Sequence, residues 1–401
     1  MLFSLFGYYL DTMYTIAKYP HLLTIGSLAG TIIGVGMFGI PYVTTKAGII
    51  PVVFYLALFT VVSILVHAMY MEITLRTKEK HRLSGYSGIY LGNKWKWATL
   101  IQTIIFLWGS LLIYTIIGGQ FINIAFKNFF GDATIISSVI FFFIASYIVV
   151  RGIKTIGKAD LIFTIIISIA VILFFLKTLS IENFENILKF APINWENIIM
   201  PYGIILFSMT GLSIIPALED EVDGNIALKQ RIHFGKIIGI GTVIPAFIYL
   251  LFTFSVVEIS GTATSQDALS GLSSIGDGYL MIGAIIGAFA ILTSFIALGN
   301  ELRRTFIEDF NVSVFWSTIA TFVAPLVLFL LGLNDFIIIT SFIGAFGAIY
   351  INLIIFIMHR KAKKMGDEKK PIFSFNVPKS ILLILSIIFV IGFFISIMEL
   401  I

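Results

Sequence analysis

The sequence has no cysteine, and charged residues make up only 12% of its 401 positions. Without cysteine the chain can form no disulfide bond, thiol nucleophile or cysteine metal site. An ordinary soluble domain is about 25% charged, whereas hydrophobic residues here reach 58%. The scarcity of charge therefore excludes an ordinary soluble domain. It indicates a polytopic, all-α membrane protein, because a helix satisfies its own backbone groups in lipid.

Signatures of enzymes and of nucleotide-binding proteins are also missing. The five histidines are dispersed, and neither H-E-x-x-H nor G-x-S-x-G occurs. Gly34, Gly36 and Gly39 spell G-x-G-x-x-G, but their flanks are apolar and no acidic residue occurs between Asp11 and Glu72. A dinucleotide site needs a preceding strand and an acidic residue about 20 positions on. The sequence therefore predicts a protein that is not an enzyme and that has no cofactor.

In place of charge, the chain has long apolar runs. A membrane-spanning helix needs about 20 such residues, and we find eleven runs, which predicts eleven transmembrane helices. They lie at Leu22–Val43, Ile50–Met71, Ala98–Ala125, Ala133–Val150, Leu161–Leu176, Ile198–Leu218, Ile237–Val257, Tyr279–Leu298, Val312–Leu331, Phe336–Met358 and Ile381–Met398.

The distribution of lysine and arginine predicts the orientation of these spans. With the N-terminus inside, the inner loops hold 22 of the 26 basic residues and the outer loops hold 4. Cytoplasmic loops of membrane proteins carry such an excess. We therefore predict a multi-pass protein of the cell membrane with a cytoplasmic N-terminus and an outer C-terminus. The net charge of +4 then reflects topology rather than nucleic-acid binding.

Two blocks of five spans open with similar motifs, GMFGIP at 36–41 in the first span and GLSIIP at 211–216 in the sixth. Because five is odd, the second block enters the membrane upside-down, as in inverted-repeat transporters. We predict a cytoplasmic N-terminal segment at 1–20, five-helix repeats at 21–178 and 195–360, and a basic cytoplasmic loop with the eleventh helix at 361–401. The basic loop is expected to contact anionic membrane lipid.

The first span contains five glycines before Pro41. Glycine weakens a helix by about 0.5–1 kcal/mol relative to alanine, so we predict a break between Gly30 and Gly36. A half-helix that starts near Gly36 would offer free N–H groups and a positive dipole end to a carboxylate. The alternative is that these glycines only let helices pack closely.

The sixth span is predicted to break between Phe207 and Gly211, leaving carbonyl groups that suit an ammonium group. A half-helix start facing a half-helix end fits a zwitterion, which is the backbone end of an amino acid. Tyr114 of the third span either reaches the substrate carboxylate or serves only packing. The predicted substrate-binding residues are Thr31, Gly34, Gly36, Met37, Phe38, Tyr114, Phe207, Ser208, Met209, Gly211 and Leu212.

The eighth span places Ala290, Thr293 and Ser294 on one helix face. Two hydroxyls and a carbonyl there, together with the carbonyls of Gly30 and Ile33, would form the oxygen cage that a hard cation such as Na⁺ prefers. Equally, the hydroxyls can bond only to carbonyls of their own helix. The spacing leaves both interpretations open.

Ionisable residues within the spans are few. His67 and Glu72 lie toward the predicted inner end of the second span, and Glu258 lies at an outer end. A charge at the bilayer centre is unfavourable by at least about 2.5–3.5 kcal/mol, so a proton-carrying role is one interpretation. We favour the other, in which the glutamates are interfacial and His67 is neutral. The acidic cluster Glu219–Asp223 is predicted to be a solvated face or gate, not a metal site.

GVGMFGIPYVTTKAGI at 34–49 resembles the signature of the amino acid/auxin permease family of the amino acid-polyamine-organocation superfamily. FSMTGLSIIPALEDE at 207–221 is similar to the sixth-span counterpart of that family. The resemblance covers essentially the whole chain. It implies the LeuT-type fold of two inverted five-helix repeats, with broken first and sixth helices, and secondary amino acid transport.

More distant sodium-coupled members of that fold carry A-G-x-x-V-G-x-G in the first span and A-x-x-T-S in the eighth, similar to 29–36 and 290–294 here. The resemblance implies one sodium site. Its ligands are the carbonyls of Gly30, Ile33 and Ala290 and the hydroxyls of Thr293 and Ser294.

The choice of coupling ion rests on three comparisons with such relatives. Proton-coupled members place a lysine in the middle of the fifth span, where this chain has no ionisable group, since Lys158 lies nearer the cytoplasmic end. Met37 replaces the asparagine that serves a second sodium, which implies at most one ion. Thr31 stands where sodium-coupled members often have asparagine, which keeps H⁺ open.

We therefore expect a symporter that uses Na⁺ to take up neutral, hydrophobic L-amino acids by alternating access. The alternatives are a proton-coupled symporter of the same fold and an amino acid sensor with little transport. The expected partners are the amino acid, sodium and membrane lipid, with no nucleic acid. The sequence leaves the oligomeric state open.

Overall fold

The computed structural model describes residues 20–152, 156–180, 184–218 and 233–400, and most of them are helical. The predicted N-terminal segment up to residue 19 and the acidic cluster Glu219–Asp223 lie outside the described residues. So does the side chain of Lys158. The first span is a bent pair of helices, and the sixth is a helix followed by a 3₁₀ turn.

Eleven apolar helical spans are present in the described part of the chain, as predicted. Eight are long enough to cross a bilayer, the bent pair His21–Ile32 and Gly36–Ala47 makes a ninth, and two shorter apolar helices complete the set. The spans run over Pro20–Ile32 with Gly36–Ala47, Ile49–Arg76, Asn93–Phe130, Thr134–Arg151, Ile156–Thr178, Met200–Ser208 with Leu212–Ile214, Phe234–Ser260, Asp277–Arg304, Val314–Leu330, Phe336–Met365 and Lys379–Leu400.

The packing of the spans has the symmetry of a five-plus-five repeat. The first span packs on the fifth as the sixth packs on the tenth, and the first packs on the seventh as the sixth packs on the second. The third span packs on the fourth as the eighth packs on the ninth, and the third and eighth lie against each other. When five is added to or subtracted from the span numbers, each of these contacts becomes another of them, and the contact between the third and eighth spans becomes itself. The predicted LeuT-type fold is therefore confirmed.

Both predicted helix breaks are present. The first helix ends at Ile32 and resumes at Gly36 after a bend of 51°. The sixth-span helix ends at Ser208, and a short 3₁₀ turn begins only at Leu212. The peptide groups of both breaks lie inside the protein, because Ile33, Val35, Met209 and Gly211 are buried. This satisfies the requirement that irregular backbone at membrane depth be covered by protein.

Two α-helices were not predicted: the short helix Glu185–Lys189 before the sixth span and a longer one before the third span. Leu83–Leu91 lies in the connection between the second and third spans and packs on the third. Its N-terminus is capped from a distance: the Asp309 carboxylate accepts the Ser84 hydroxyl at 2.6 Å and the Gly85 N–H at 2.7 Å. The cap that stabilises this helix comes from beyond the eighth span, so no local sequence signal announces it.

Positive side chains gather at one end of the bundle, where the second span ends and the third begins. We call this end the basic face. It is the face predicted to be cytoplasmic, and it carries Arg76, Arg82, Lys96, Arg303 and Lys363.

Candidate functional site

The first-span break leaves backbone groups that the helix no longer pairs. The Phe38 N–H donates to the Val35 carbonyl at 3.1 Å, which closes the first turn of the second half-helix. The Ile32 carbonyl, at the end of the first half-helix, accepts the Tyr249 hydroxyl of the seventh span at 2.5 Å. A second half-helix starts at Gly36, with its positive dipole end at the break; carboxylate binding there stays a prediction.

The sixth-span break lies beside it. The Met209 and Thr210 N–H groups turn back to the carbonyls of Ile205 and Phe207, which ends the helix. The Ser208 carbonyl lies 3.1 Å from the same Tyr249 hydroxyl. The next N–H, that of Gly211, has no helical acceptor and instead donates to Nε2 of His67 at 3.1 Å.

The two breaks are in direct contact. A methyl group added at Gly36 would lie 2.9 Å from the Ser208 Cα, closer than real Cβ contacts come. One added at Gly34 would meet the Tyr114 hydroxyl, with the Ser294 Oγ 3.3 Å away. At Gly36 the neighbour is backbone, so close approach requires glycine there, whereas at Gly34 the neighbour is the end of the Tyr114 side chain, which can shift. Helix packing requires close approach of this kind as well, so the site interpretation of these glycines stays a prediction.

A cavity opens between the two breaks and runs toward the basic face. Its walls come from the first, second, third, sixth, eighth and tenth spans and from the helix Leu83–Leu91. The lining residues are Thr31, Ile32, Gly34, Gly36, Tyr70, Leu83, Thr103, Phe106, Leu107, Ser110, Tyr114, Phe207, Ser208, Thr210, Leu212, Ser213, Leu298, Glu301 and Ile351.

Most of the predicted substrate-binding residues lie on this wall, and four do not. Those on the wall are Thr31, Gly34, Gly36, Tyr114, Phe207, Ser208 and Leu212. Those off it are Met37, Phe38, Met209 and Gly211. Phe38 packs edge-on against Phe121 and Phe252, with ring centroids 4.7 and 5.5 Å away. The half-helix that carries Met37 and Phe38 turns these side chains into the core beside the cavity.

Four of the five predicted sodium-binding residues meet at a second, small cavity, and Ser294 is not on its wall. Gly30, Ile33, Ala290 and Thr293 line it, together with Phe163, Thr164 and Ile167 of the fifth span. Thr293 and Ser294 both donate their hydroxyls to the Ala290 carbonyl, at 3.0 and 3.2 Å. These are the bonds of the alternative interpretation. They do not exclude a cation, because a hydroxyl that donates keeps lone pairs to accept one.

The floor of the larger cavity is an ion-pair network at the basic face. The Arg82 guanidinium donates to Glu301 at 2.9 Å and to Glu308 at 3.0 Å. Next to it, the His81 ring lies 3.3 Å from the Asp309 carboxylate, and this hydrogen bond raises the pKa of His81 above its usual value. Among the described residues, Glu301 is the one carboxylate on the cavity wall, and Arg82 neutralises it.

A second buried network surrounds Glu72, which was predicted to be interfacial. Its carboxylate is fully buried and accepts hydrogen bonds from Arg76 at 2.9 Å, His359 at 2.8 Å, Ser374 at 2.7 Å and the Phe375 N–H at 3.2 Å. The carboxylate lies near the basic end of the second span, where the loop after the tenth span folds over it. Glu258 is also buried, and it accepts the Ile187 N–H at 2.9 Å.

Among the residues of the site that were not predicted from the sequence are three that make its polar contacts: Tyr249, Arg82 and Glu301. Tyr249 follows Pro245 in the seventh span, and nothing local marks it as a bridge between two breaks. Arg82 follows the second span and Glu301 lies near the end of the eighth, and only the fold brings them together.

Comparison with known proteins places this architecture. The profile of the tryptophan/tyrosine permease family matches residues 21–399. The chain is similar to glutamine transporter 2 of Aliivibrio fischeri, 23% identical over 82% of this chain and 85% of that protein. It is also similar to tyrosine-specific transport system 1 of Haemophilus influenzae, 25% identical over the same shares. The crystal structure of MhsT in complex with L-phenylalanine superposes with a TM-score of 0.69 at 15% identity, covering 95% of this chain and 98% of MhsT.

Proposed function

Since this chain belongs to the tryptophan/tyrosine permease family, we propose that it is a secondary active transporter that couples Na⁺ to the movement of a neutral, hydrophobic L-amino acid. The matching family differs from the amino acid/auxin permeases that the first-span motif resembles. An amino acid permease of LeuT-type fold is common to both. Aromatic amino acids are the first substrates to test, because one relative is named for tyrosine and the structural neighbour holds phenylalanine.

The observation that carries the proposal is the contact of two interrupted spans at one cavity. Gly36 begins a half-helix there, and Ser208 ends one. A helix start favours an anion and a helix end favours a cation. The carboxylate of an amino acid would therefore bind at Gly34 and Gly36, and its ammonium group near the Ser208 carbonyl.

The rest of the cavity wall supports a neutral side chain. Phe106, Leu107, Phe207 and Leu298 give it apolar and aromatic surface. Glu301 is paired with Arg82. A charged substrate side chain would leave its charge without a free partner among the described wall residues, and such burial is unfavourable by several kcal/mol.

Sodium would act at the small cavity between the first and eighth spans. Its four predicted ligands on that wall supply oxygens only, and hard cations prefer oxygen. A bound ion would fasten the first span to the eighth and would favour the conformation open to the outside. Its loss inside would let the first, second, sixth and seventh spans rock together, with the basic face toward the cytoplasm and against anionic lipid.

The membrane potential makes such coupling sufficient. One positive charge carried across 100 mV supplies about 2.3 kcal/mol, which corresponds to roughly fifty-fold accumulation before any sodium gradient is counted. No ATP-driven step is needed.

The test is uptake of radiolabelled L-tyrosine, L-tryptophan, L-phenylalanine and L-glutamine into proteoliposomes. Gradients of Na⁺ and of H⁺ are imposed separately, and protein-free vesicles serve as the control. Uptake driven by Na⁺ is the expected result. Uptake driven only by the H⁺ gradient would show that the coupling ion is the proton and not sodium. Saturable binding of one of these amino acids without uptake under either gradient would favour a sensor over a transporter.

A further inference from the structure

His67 stands at the centre of the bundle and belongs to none of the sites above. It lies in the second span, and only 1% of its surface is exposed. Its Nε2 atom lies 3.1 Å from the Gly211 nitrogen in the sixth-span break, and its Nδ1 atom lies 3.3 Å from the Thr242 hydroxyl of the seventh span. One imidazole therefore joins three spans.

The chemistry of these partners sets the protonation of the ring. The Gly211 nitrogen can only donate, so Nε2 must accept and carries no proton. The single proton of the neutral imidazole is then on Nδ1, facing the Thr242 hydroxyl. His67 is thus a neutral acceptor for one specific peptide group, as favoured from the sequence. The sequence predicts the break at Gly211, but it gives no sign that His67 bonds to that peptide group.

The position of Gly211 makes that hydrogen bond relevant to the cavity. Its chain neighbours Thr210 and Leu212 both lie on the cavity wall, whereas Gly211 itself does not. The Gly211 N–H points away from the cavity and donates to His67. This hydrogen bond holds the peptide between the wall residues Thr210 and Leu212 from the side opposite the cavity. A methyl group added at Gly211 would press on Ile32 and Leu28 of the first span, which leaves this peptide little room to turn.

We propose that His67 is a positioning residue for the amino acid site: it holds the unwound stretch of the sixth span in the conformation that binds substrate. The inference rests on the proposed function, because it presumes that the cavity is the amino acid site. Without an acceptor behind it, the Gly211 N–H is buried and unpaired. The stretch then leaves this conformation for part of the time, and apparent affinity falls with the fraction that remains competent.

Two amide side chains separate this role from simple packing. A glutamine at 67 extends its terminal amide to about the place of Nε2, whereas an asparagine reaches only about as far as Nδ1. His67→Gln should therefore keep the Gly211 bond, and His67→Asn and His67→Leu should lose it. We expect KM for the transported amino acid to rise by roughly 5- to 100-fold in the latter two, the range that an unpaired buried amide corresponds to. Vmax per folded protein should change much less.

The seventh span offers a matched pair of controls. Thr242 and Thr253 are both buried in it, and the Thr253 hydroxyl has no partner among the described residues. Thr242→Val removes the Nδ1 partner and should raise KM by a few-fold. Thr253→Val makes the same chemical change in the same helix and should leave KM unchanged.

The measurement is proteoliposome uptake of L-tyrosine, L-tryptophan and L-phenylalanine, with the thermal midpoint of each purified variant recorded beside it. If the wild type neither takes up nor binds any of them, the proposed function fails and not this inference. If the wild type transports and His67→Leu keeps the wild-type KM, the positioning role is refuted. Equal losses in His67→Gln and His67→Asn, accompanied by equal falls in thermal midpoint, would likewise reduce His67 to a packing residue.

Discussion

The sharpest test of the site is the addition of one methyl group where the two broken spans touch. In Gly36→Ala the new Cβ would lie 2.9 Å from the Ser208 Cα and also 2.9 Å from its Cβ. Ordinary contact begins at 3.4 Å, so the two spans must move apart by about 0.5 Å. The neighbour is backbone, and no rotamer change can relieve the clash.

The size of the effect follows from the cost of overpacking. An extra methylene in a well-packed interior is unfavourable by about 1–3 kcal/mol, and here the strain falls on the two half-helix ends that would hold the substrate. If half or more of it is expressed in the binding-competent state, affinity drops by roughly 2- to 160-fold. Gly36→Val would add two further carbons in the same place and should abolish binding.

The assay is equilibrium binding of labelled L-tyrosine, L-tryptophan or L-phenylalanine to purified protein, with membrane expression measured in parallel. Gly239→Ala in the seventh span is the matched control, because nothing lies within 4 Å of the methyl group that it adds. We expect normal expression of both variants and normal binding by Gly239→Ala alone. Wild-type affinity in Gly36→Ala would show that the substrate does not bind where the two breaks meet.

Three further predictions concern single side chains. Thr293→Ala should raise the Na⁺ concentration for half-maximal uptake several-fold while leaving the KM at saturating Na⁺ nearly unchanged; an unaltered sodium response would reduce its hydroxyl to the bond with Ala290. Tyr249→Phe leaves the Ile32 carbonyl unpaired, which is unfavourable by about 1–3 kcal/mol, so both the substrate affinity and the thermal midpoint should fall. Tyr202→Phe is the control, because it loses a hydrogen bond to Phe389 away from the breaks. It should lower the thermal midpoint alone. The pKa of His81 is raised in the folded protein, so the protonated ring stabilises the fold. This stabilisation is complete below the unfolded pKa near 6.5 and is lost as pH rises through the folded pKa. The thermal midpoint should therefore decline across that window in the wild type and less in His81→Gln.

The breaks could be predicted from the sequence because their cause is local. Glycine and proline change the backbone at their own positions, and in a run that is otherwise apolar they mark the place where a helix is interrupted. The face shared by Ala290 and Thr293 follows from helix geometry alone. For these features, the spacing of residues along the chain directly determines their arrangement in the structure.

What could not be predicted depends on contacts between distant parts of the chain. The helix Leu83–Leu91 needs the cap from Asp309, and the bond between His67 and Gly211 joins residues 144 positions apart. Met37 and Phe38 follow the break directly in sequence, yet the 51° bend turns them away from the cavity. Neither a cap supplied by a distant residue nor the direction of a bend can be predicted from the residues next to it in the sequence.

The hydrogen bonds of Tyr249 and His67 connect four spans. Tyr249 joins the seventh span to the first and lies against the sixth, while His67 joins the second to the sixth and the seventh. No member of this quartet can tilt alone without stripping a buried peptide group of its partner. The change between the outward-open and inward-open states should therefore leave these hydrogen bonds intact and occur by sliding along the contacts with the third and eighth spans. Mutations at those contacts should alter the rate of turnover. Mutations that remove the hydrogen bonds among the four spans should alter the affinity for substrate.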